Sequence, residues 1–496
     1  MSLAVSRACR IAPRLHAALA GTALTTILAA AVVPGIAVAQ SKAVAQDTEV
    51  TPVITMAPAQ DSQAMPPSSA QALVPATSPT PAPAGTSLES DADKFKRFDK
   101  LAEPGLTTTF PGSGDTLLGD IGGFRTWLAE HEIGLQARAG FVGVYNPLDK
   151  GQPRSPQRYN GQRPTVQTQS LNIIATMGLK SIGLPNSKII LGGNYLVTTF
   201  YPNGPNTVGF RNIAFYQSFA DGKIEFKAGI MPEYYEFVGF YAGGTPVLAS
   251  GVTGLIPIQA GLSADPAPTP AANLTFHFKK GAYFKTAVQR STAPAGTPYE
   301  LQHNGPNVAF KMKDAGPLFI GEVGIRRAAT GQNKQVWVRA GGLYNDSNYT
   351  RFDGAGTASN HSIYAAADFQ VTQPDLTLPG KGFYVGGSGF WAPDNVNRIT
   401  QTYEARIYQI APFESRPLDS AALRVGYNRY SSDGQRATEA TGGHANGHQL
   451  SVTGSYSLHV TKGLFFTPAA AYIKNPSPIG DFNDALSLSA TIYALF

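Results

Sequence analysis

From about residue 133 onward, apolar and polar side chains alternate with a period of two, the spacing that sends successive side chains to opposite faces of a β-strand. The final segment shows it plainly. Leu486, Leu488, Ala490, Ile492, Ala494 and Phe496 fall on one face and Ser487, Ser489, Thr491 and Tyr493 on the other, with Leu495 the exception. The same pattern sets Leu423, Val425 and Tyr427 against Arg424 and Asn428, and Tyr403, Ala405 and Ile407 against Glu404, Arg406 and Tyr408. It sets Phe319, Val323 and Ile325 against Glu322 and Arg326, Ile224, Phe226 and Ala228 against Glu225 and Lys227, and Leu171, Ile173, Ala175 and Met177 against Asn172 and Thr176. A soluble sandwich alternates too, but charges gathered on one face of strand after strand suit a wet lumen inside a lipid-facing wall.

Candidate strands run near 133–145, 169–180, 187–200, 210–219, 222–230, 271–279, 282–290, 305–313, 318–328, 334–345, 361–371, 382–392, 400–411, 421–430, 450–460, 464–473 and 486–496. That is one more than an even number, whereas bacterial single-chain barrels are even-stranded. The expected fold is therefore all-β: a transmembrane antiparallel barrel of sixteen strands, with eighteen as the alternative. Either size leaves an aqueous channel. A short N-terminal helix and a disordered Pro/Ala-rich segment are expected ahead of it.

The first part of the chain reads differently. Arg7, Arg10 and Arg14 precede the apolar stretch Leu19 to Val33, and Ala37-Val38-Ala39 supplies small residues before a cut at Gln40, so 1–39 is expected to be a secretory signal peptide. Residues 40–100 form a linker, rich in Pro, Ala and Ser up to about Glu89, that is expected to be a disordered periplasmic tether. It closes with the charges Asp91, Asp93, Lys94, Lys96, Arg97, Asp99 and Lys100, which suit a short helix. Residues 101–132 are a lead-in segment with a short helix, and 133–496 the barrel. Beyond the first forty residues no apolar run approaches the ~18 residues of a membrane helix, so any crossing uses strands.

Composition narrows the chemistry. The 26 Phe, 21 Tyr and 52 Gly suit many twisted strands and turns. The single cysteine, Cys9, lies in the expected leader, which leaves the rest without a disulfide, thiolate nucleophile or cysteine metal site. The net charge of +6 comes from dispersed Lys and Arg with no basic block, so no nucleic-acid partner is expected. No His-Glu-x-x-His, Gly-x-Ser-x-Gly or paired-carboxylate signature occurs, and His444 and His448 lie in a Gly-rich loop with no helix to align them. No catalytic residue, cofactor or metal is expected.

Five stretches occur in a telling order. They are Leu118-Gly119-Asp120-Ile121-Gly122-Gly123-Phe124-Arg125-Thr126-Trp127-Leu128, Gly341-Gly342-Leu343-Tyr344-Asn345, Gly389-Phe390-Trp391-Ala392-Pro393-Asp394-Asn395-Val396-Asn397, Leu423-Arg424-Val425-Gly426-Tyr427, and Thr467-Pro468-Ala469-Ala470-Ala471-Tyr472-Ile473-Lys474-Asn475-Pro476. Together they resemble the carbohydrate-selective, OprB-type porins from about residue 117 to the C-terminus. In the first, Gly119, Asp120, Gly122, Gly123 and Arg125 match the family motif while Ile121 replaces its usual Trp; in the last, Ala471 stands where Gln is common. The resemblance implies a sixteen-stranded barrel narrowed by inward-folded loops, with charged and aromatic residues along a path for mono- and small oligosaccharides, driven by the gradient alone. A general or ion-preferring porin, a polysaccharide export pore, or a barrel serving as anchor or adhesion platform are the alternatives.

A sugar pore needs hydrogen-bonding groups and aromatic faces, yet weak enough binding for exit. Residues 231–270 are too long for an idle turn, and Glu233, Tyr234, Tyr235 and Glu236 at their start suit a constriction as well as a self-packed loop. On the strands, alternation turns Arg138, Lys227, Lys285, Lys311, Glu322, Arg326, Arg339, Glu404, Arg406 and Arg424 to the lumen. Arg125 and Trp127 are expected to pack a short helix or plug against the barrel. Expected partners are small sugars, outer-membrane lipid and the barrel assembly machinery, which reads a terminal strand ending in an aromatic such as Phe496; monomer and trimer both remain open.

Overall fold

The computed structural model describes residues 91–148, 166–198 and 206–496. The expected leader and nearly all of the tether lie outside them. Two helices, α1 (Asp91–Lys100) and α2 (Phe124–Glu130), precede the strands. These are β1 (Ile133–Tyr145), β2 (Val166–Gly178), β3 (Ser187–Thr198), β4 (Asn206–Phe219), β5 (Ile224–Met231), β6 (Thr269–His277), β7 (Ala282–Arg290), β8 (Pro317–Arg327), β9 (Val336–Thr350), β10 (Thr357–Gln370), β11 (Gly382–Trp391), β12 (Ile399–Ile410), β13 (Ser420–Tyr430), β14 (His448–Thr461), β15 (Leu464–Lys474) and β16 (Ala485–Leu495). Every neighbour pair is antiparallel, and β1 closes on β16 with Arg138 opposite Leu495 and Tyr145 opposite Leu488. Closure satisfies every strand edge, the condition for strands to cross hydrocarbon.

The outward positions carry the apolar half of the alternation. Phe319, Val323 and Ile325 on β8, Ile407 on β12, Leu423 and Val425 on β13 and Leu488 and Ile492 on β16 are all exposed on the exterior. The connections after the even-numbered strands gather at one end of the barrel, and the longest ones, after β1, β5, β7 and β13, lie at the other; in such barrels the short-turn end is periplasmic. The short end is apolar in turn after turn: Ile182, Phe219, Phe278, Leu376 and Phe413 stand 50 to 69% exposed there.

Sixteen strands, not seventeen, resolve the odd count. The segment 305–313 alternates in sequence but is no strand. Pro306 has no amide to donate, and Asn307 sits at φ 74, where a β-strand cannot continue. The Pro306 carbonyl instead accepts from the Phe210 amide, and the Asn307 amide group donates to the carbonyls of Phe210 and Pro266. Lys311 accordingly sits exposed on this loop and not in the lumen wall.

The barrel's core lies inside it. Between β5 and β6 the chain enters the lumen through 3-10 turns at Glu233–Tyr235 and Ala242–Gly244 and the short helix α3 (Leu255–Gln259). Tyr234, Tyr235, Phe237, Phe240, Tyr241, Ile256 and Leu262 from this inward segment pack on Ala287, Leu318, Ile320, Leu343, Tyr364 and Phe390 of the wall. Burying that many aromatics is what holds the segment inward. Gly239 permits the approach: at φ 63 its backbone lies where a Cβ would come 2.2 Å from Trp337.

Candidate functional site

The inward segment is pinned to the wall along its length. Glu322 on β8 accepts from the Val238 amide (2.7 Å) and from the hydroxyls of Tyr283 and Tyr364 (2.8 Å each). Arg339 on β9 donates to the carbonyls of Val238 (2.6 Å) and Gly239 (3.1 Å), with its guanidinium 3.6 Å over the Trp337 ring. Farther along, Gln259 donates to the Ile399 carbonyl (2.8 Å), the Ala249 amide donates to Ser420 Oγ (3.0 Å), and Arg424 donates to the Val252 carbonyl.

A second strip of chain lies inside the barrel. Residues 101–117 run beside the inward segment, with the Thr107 amide on the Tyr235 carbonyl (2.8 Å) and the Thr109 amide on that of Gly244 (3.0 Å). The wall reaches this strip as well. Lys285 donates to Thr107 Oγ1 (2.8 Å), Arg326 donates to the Thr107 carbonyl, and Arg138 stacks 3.3 Å over Phe110. Glu103 is buried between Arg211 (3.1 Å) and Lys227 (3.4 Å). Burial alone would raise its pKa, but the two cations hold it down at about 2.

Glu233, Tyr234, Tyr235 and Glu236, candidates for a pore constriction or a self-packed loop, are closed off between the inward segment and the wall, none more than 4% exposed. Asn273 donates to Glu233 Oε2 (2.9 Å), Lys227 pairs with Glu236 (2.6 Å), and both tyrosine hydroxyls donate to Asp265. Burial, reinforced by the neighbouring Glu236, pushes Glu233 up to about 8. The aromatic ring density draws the turn into a core and away from water.

A charge relay crosses β9 to β13. Asp368 receives Arg406 in a two-pronged pair (2.8 and 2.7 Å) with Arg339 at 3.5 Å; Arg406 also meets Glu404 (2.8 Å), which Arg424 approaches at 3.5 Å. Glu322, Arg326, Arg339, Glu404, Arg406 and Arg424 thus all turn inward, but unequally. The side chains of Arg211, Arg339 and Arg406 are wholly covered, whereas that of Arg424 keeps 23% of its surface. Around it the accessible inner wall is hydroxyl and amide: Thr402 donates to Asn428 (2.6 Å), Asn428 to Gln449 (2.8 Å), and Ser451 and Thr453 continue the strip along β14 as far as Ser455, which donates to the Ala249 carbonyl.

The motif at 119–125 forms a turn that ties the start of the barrel to its end. Gly119, Gly122 and Gly123 all take positive φ, and so does Ile121 (φ 51). Asp120 accepts from the Thr126 amide (2.8 Å) and hydroxyl (2.7 Å) in the first turn of α2, whose N-cap is Gly123. Arg125 is buried and donates to Thr116 (3.0 Å), the Gly119 carbonyl (2.9 Å) and the main-chain oxygen of Phe496. Trp127 stays exposed. His448 stacks on Tyr427 (5.7 Å) at the start of β14, while the His444 carbonyl receives the Gly480 amide on a loop.

The family model for "Carbohydrate-selective porin, OprB family" matches residues 182–492. The chain belongs to this family. A sequence comparison with curated proteins finds no match. Among solved structures, the fold is similar to Pseudomonas putida OprB at high pH, with TM-score 0.65 and 15% identity, covering 77% of this chain and 98% of that one. The low-pH structure of the same protein gives TM-score 0.50 at the same identity and coverage. This OprB-family barrel is an outer-membrane protein, crossing with strands; no helix among the described residues is long and apolar enough to cross.

Proposed function

We propose that the chain is a passive, non-enzymatic channel that favours small carbohydrates, admitting them along the β12–β14 side of the lumen. The observation that carries this reading is the unequal exposure of the inner wall. The inward segment and residues 101–117 cover the aromatic and charged side, and Arg424 with its hydroxyl and amide neighbours keeps contact with solvent. A sugar exchanges its hydration for such donors and acceptors one at a time, which binds it weakly enough to leave. Glu404 orients Arg424, Arg406 and Asp368 orient Glu404, and Arg138 over Phe110 bounds the far side. No step in this account consumes energy or uses a cofactor.

The terminal strand ending at Phe496 serves as the signal for barrel assembly in the same reading. Swelling of liposomes containing the protein tests the permeation claim: entry rates for monosaccharides well above those for zwitterionic solutes of equal size support it, and equal rates at equal size refute it. A second reading, an anion-preferring general porin, is favoured by the surplus of inward Arg and Lys such as Arg138, Arg326 and Lys285, for which no acidic partner within salt-bridge distance is seen among the described residues. A strongly anion-selective reversal potential together with sugar-indifferent swelling would favour that reading.

A further inference from the structure

Fifteen of the sixteen strand junctions are covalent connections; the seam between β16 and β1 is not. The lead-in segment adds apolar groups at that seam. Leu117 donates its amide to the Leu495 carbonyl (2.8 Å), which places it against the end of β16. Leu118, Ile121 and Trp127 then stand 51, 40 and 45% exposed, while Arg125 and Leu128 on the other side of α2 are buried against the barrel. The Phe124 ring stacks on Trp127 at 6.0 Å, widening the apolar face.

We propose that Leu118, Ile121 and Trp127 lie in the phospholipid headgroup layer on the periplasmic side, anchoring the β1–β16 seam to the membrane as the turns anchor the rest of the rim. The occupant is lipid because the patch continues the surface already in lipid. Leu495 precedes Phe496 on the strand whose Ile492 faces outward, and the same rim carries Ile182, Phe219, Phe278 and Phe413 in equivalent exposure. A Trp at such a boundary keeps its ring in the apolar layer and its N–H toward water. The buried Arg125 contact with Phe496 is what fixes the outward aim of the patch.

The full chain carries one cysteine, Cys9, so a C9S background accepts a single reporter. Ile121→Cys, labelled with an environment-sensitive nitrobenzoxadiazole dye, would be reconstituted in phosphatidylethanolamine and phosphatidylglycerol vesicles. Glu130→Cys on the exposed end of α2 serves as the water-facing control and Ile492→Cys as the lipid-facing one. The expected result is a blue-shifted emission, quenched by lipid bearing a nitroxide near the headgroup and shielded from aqueous iodide, resembling Ile492→Cys. Emission like that of Glu130→Cys, quenched by iodide and not by the lipid nitroxide, overturns the proposal. Quenching by neither, the mark of a protein partner, also overturns it. Leu118→Cys repeats the measurement on a side chain more exposed still, should the first variant fold poorly.

Discussion

Arg424 owes its position to two opposed contacts: Glu404 on the neighbouring strand and the Val252 carbonyl on the inward segment. If it is the cation a sugar meets, Arg424→Ala should raise the half-blocking sugar concentration by about tenfold, equivalent to ~1.4 kcal/mol and near the low end for a hydrogen bond to a charged group. Current noise analysis in sugar titrations reads this directly, and an unchanged block would move the site elsewhere. Asp368 is a different case, because it balances two covered guanidinium groups. Asp368→Ala leaves Arg406 and Arg339 without their shared partner, a loss of ~3–5 kcal/mol for a broken buried pair, visible as a lower midpoint in urea unfolding followed by gel mobility. Glu233 sets a pH dependence with a definite sign. Its folded-state pKa is raised to about 8 by burial and by Glu236, so the folded state holds a proton that the unfolded chain releases near the ordinary glutamate value. Stability from this group is present at low pH and is lost as pH climbs toward and through about 8. Glu233→Gln should flatten the fall in thermal midpoint between the ordinary glutamate value, 4.5, and about 8.

At the scale of elements, the two strips inside the lumen are held by different forces. The inward segment buries aromatics, and its fit depends on Gly239: Gly239→Ala forces a Cβ against Trp337 and should loosen the segment, raising open-channel noise in bilayer recordings. Residues 101–117 are held instead by main-chain hydrogen bonds, by Glu103 between Arg211 and Lys227, and by Arg138 over Phe110. Phe110→Ala should enlarge single-channel conductance, and an unchanged value would put this strip outside the ion path. These forces also explain what could be read in advance. The strands were legible because lipid outside and water inside impose the period-two pattern on both faces. Residues 305–313 imitate that pattern through Val308, Phe310 and Met312, but Pro306 and Asn307 deny the ladder its hydrogen bonds. The inward segment announced itself by length and ring density, yet those rings, by packing, hid Glu233 to Glu236 from the pore. Main-chain bonding leaves no trace in side-chain pattern, so the placement of Thr107 to Phe110 was not legible at all. Arg125 was expected to pack, but its reach to Phe496 spans the whole chain and no local motif reveals such a partner.

Over the whole molecule, the sheet closes on itself, its apolar positions face lipid, and its filled interior is asymmetric: packed and ion-paired from β5 to β12, with half-buried hydroxyl and amide side chains around Arg424 on β12–β14. In the proposed reading, that asymmetry makes a wide sixteen-stranded wall a selective path. The most direct test of that path is single-channel conductance of the refolded protein in a planar bilayer, titrated with glucose and with other mono- and disaccharides. The account predicts concentration-dependent, saturable block by some sugars and weaker block in Arg424→Ala. Steady conductance indifferent to every sugar, in the native chain and the variant alike, would contradict it and leave a general porin.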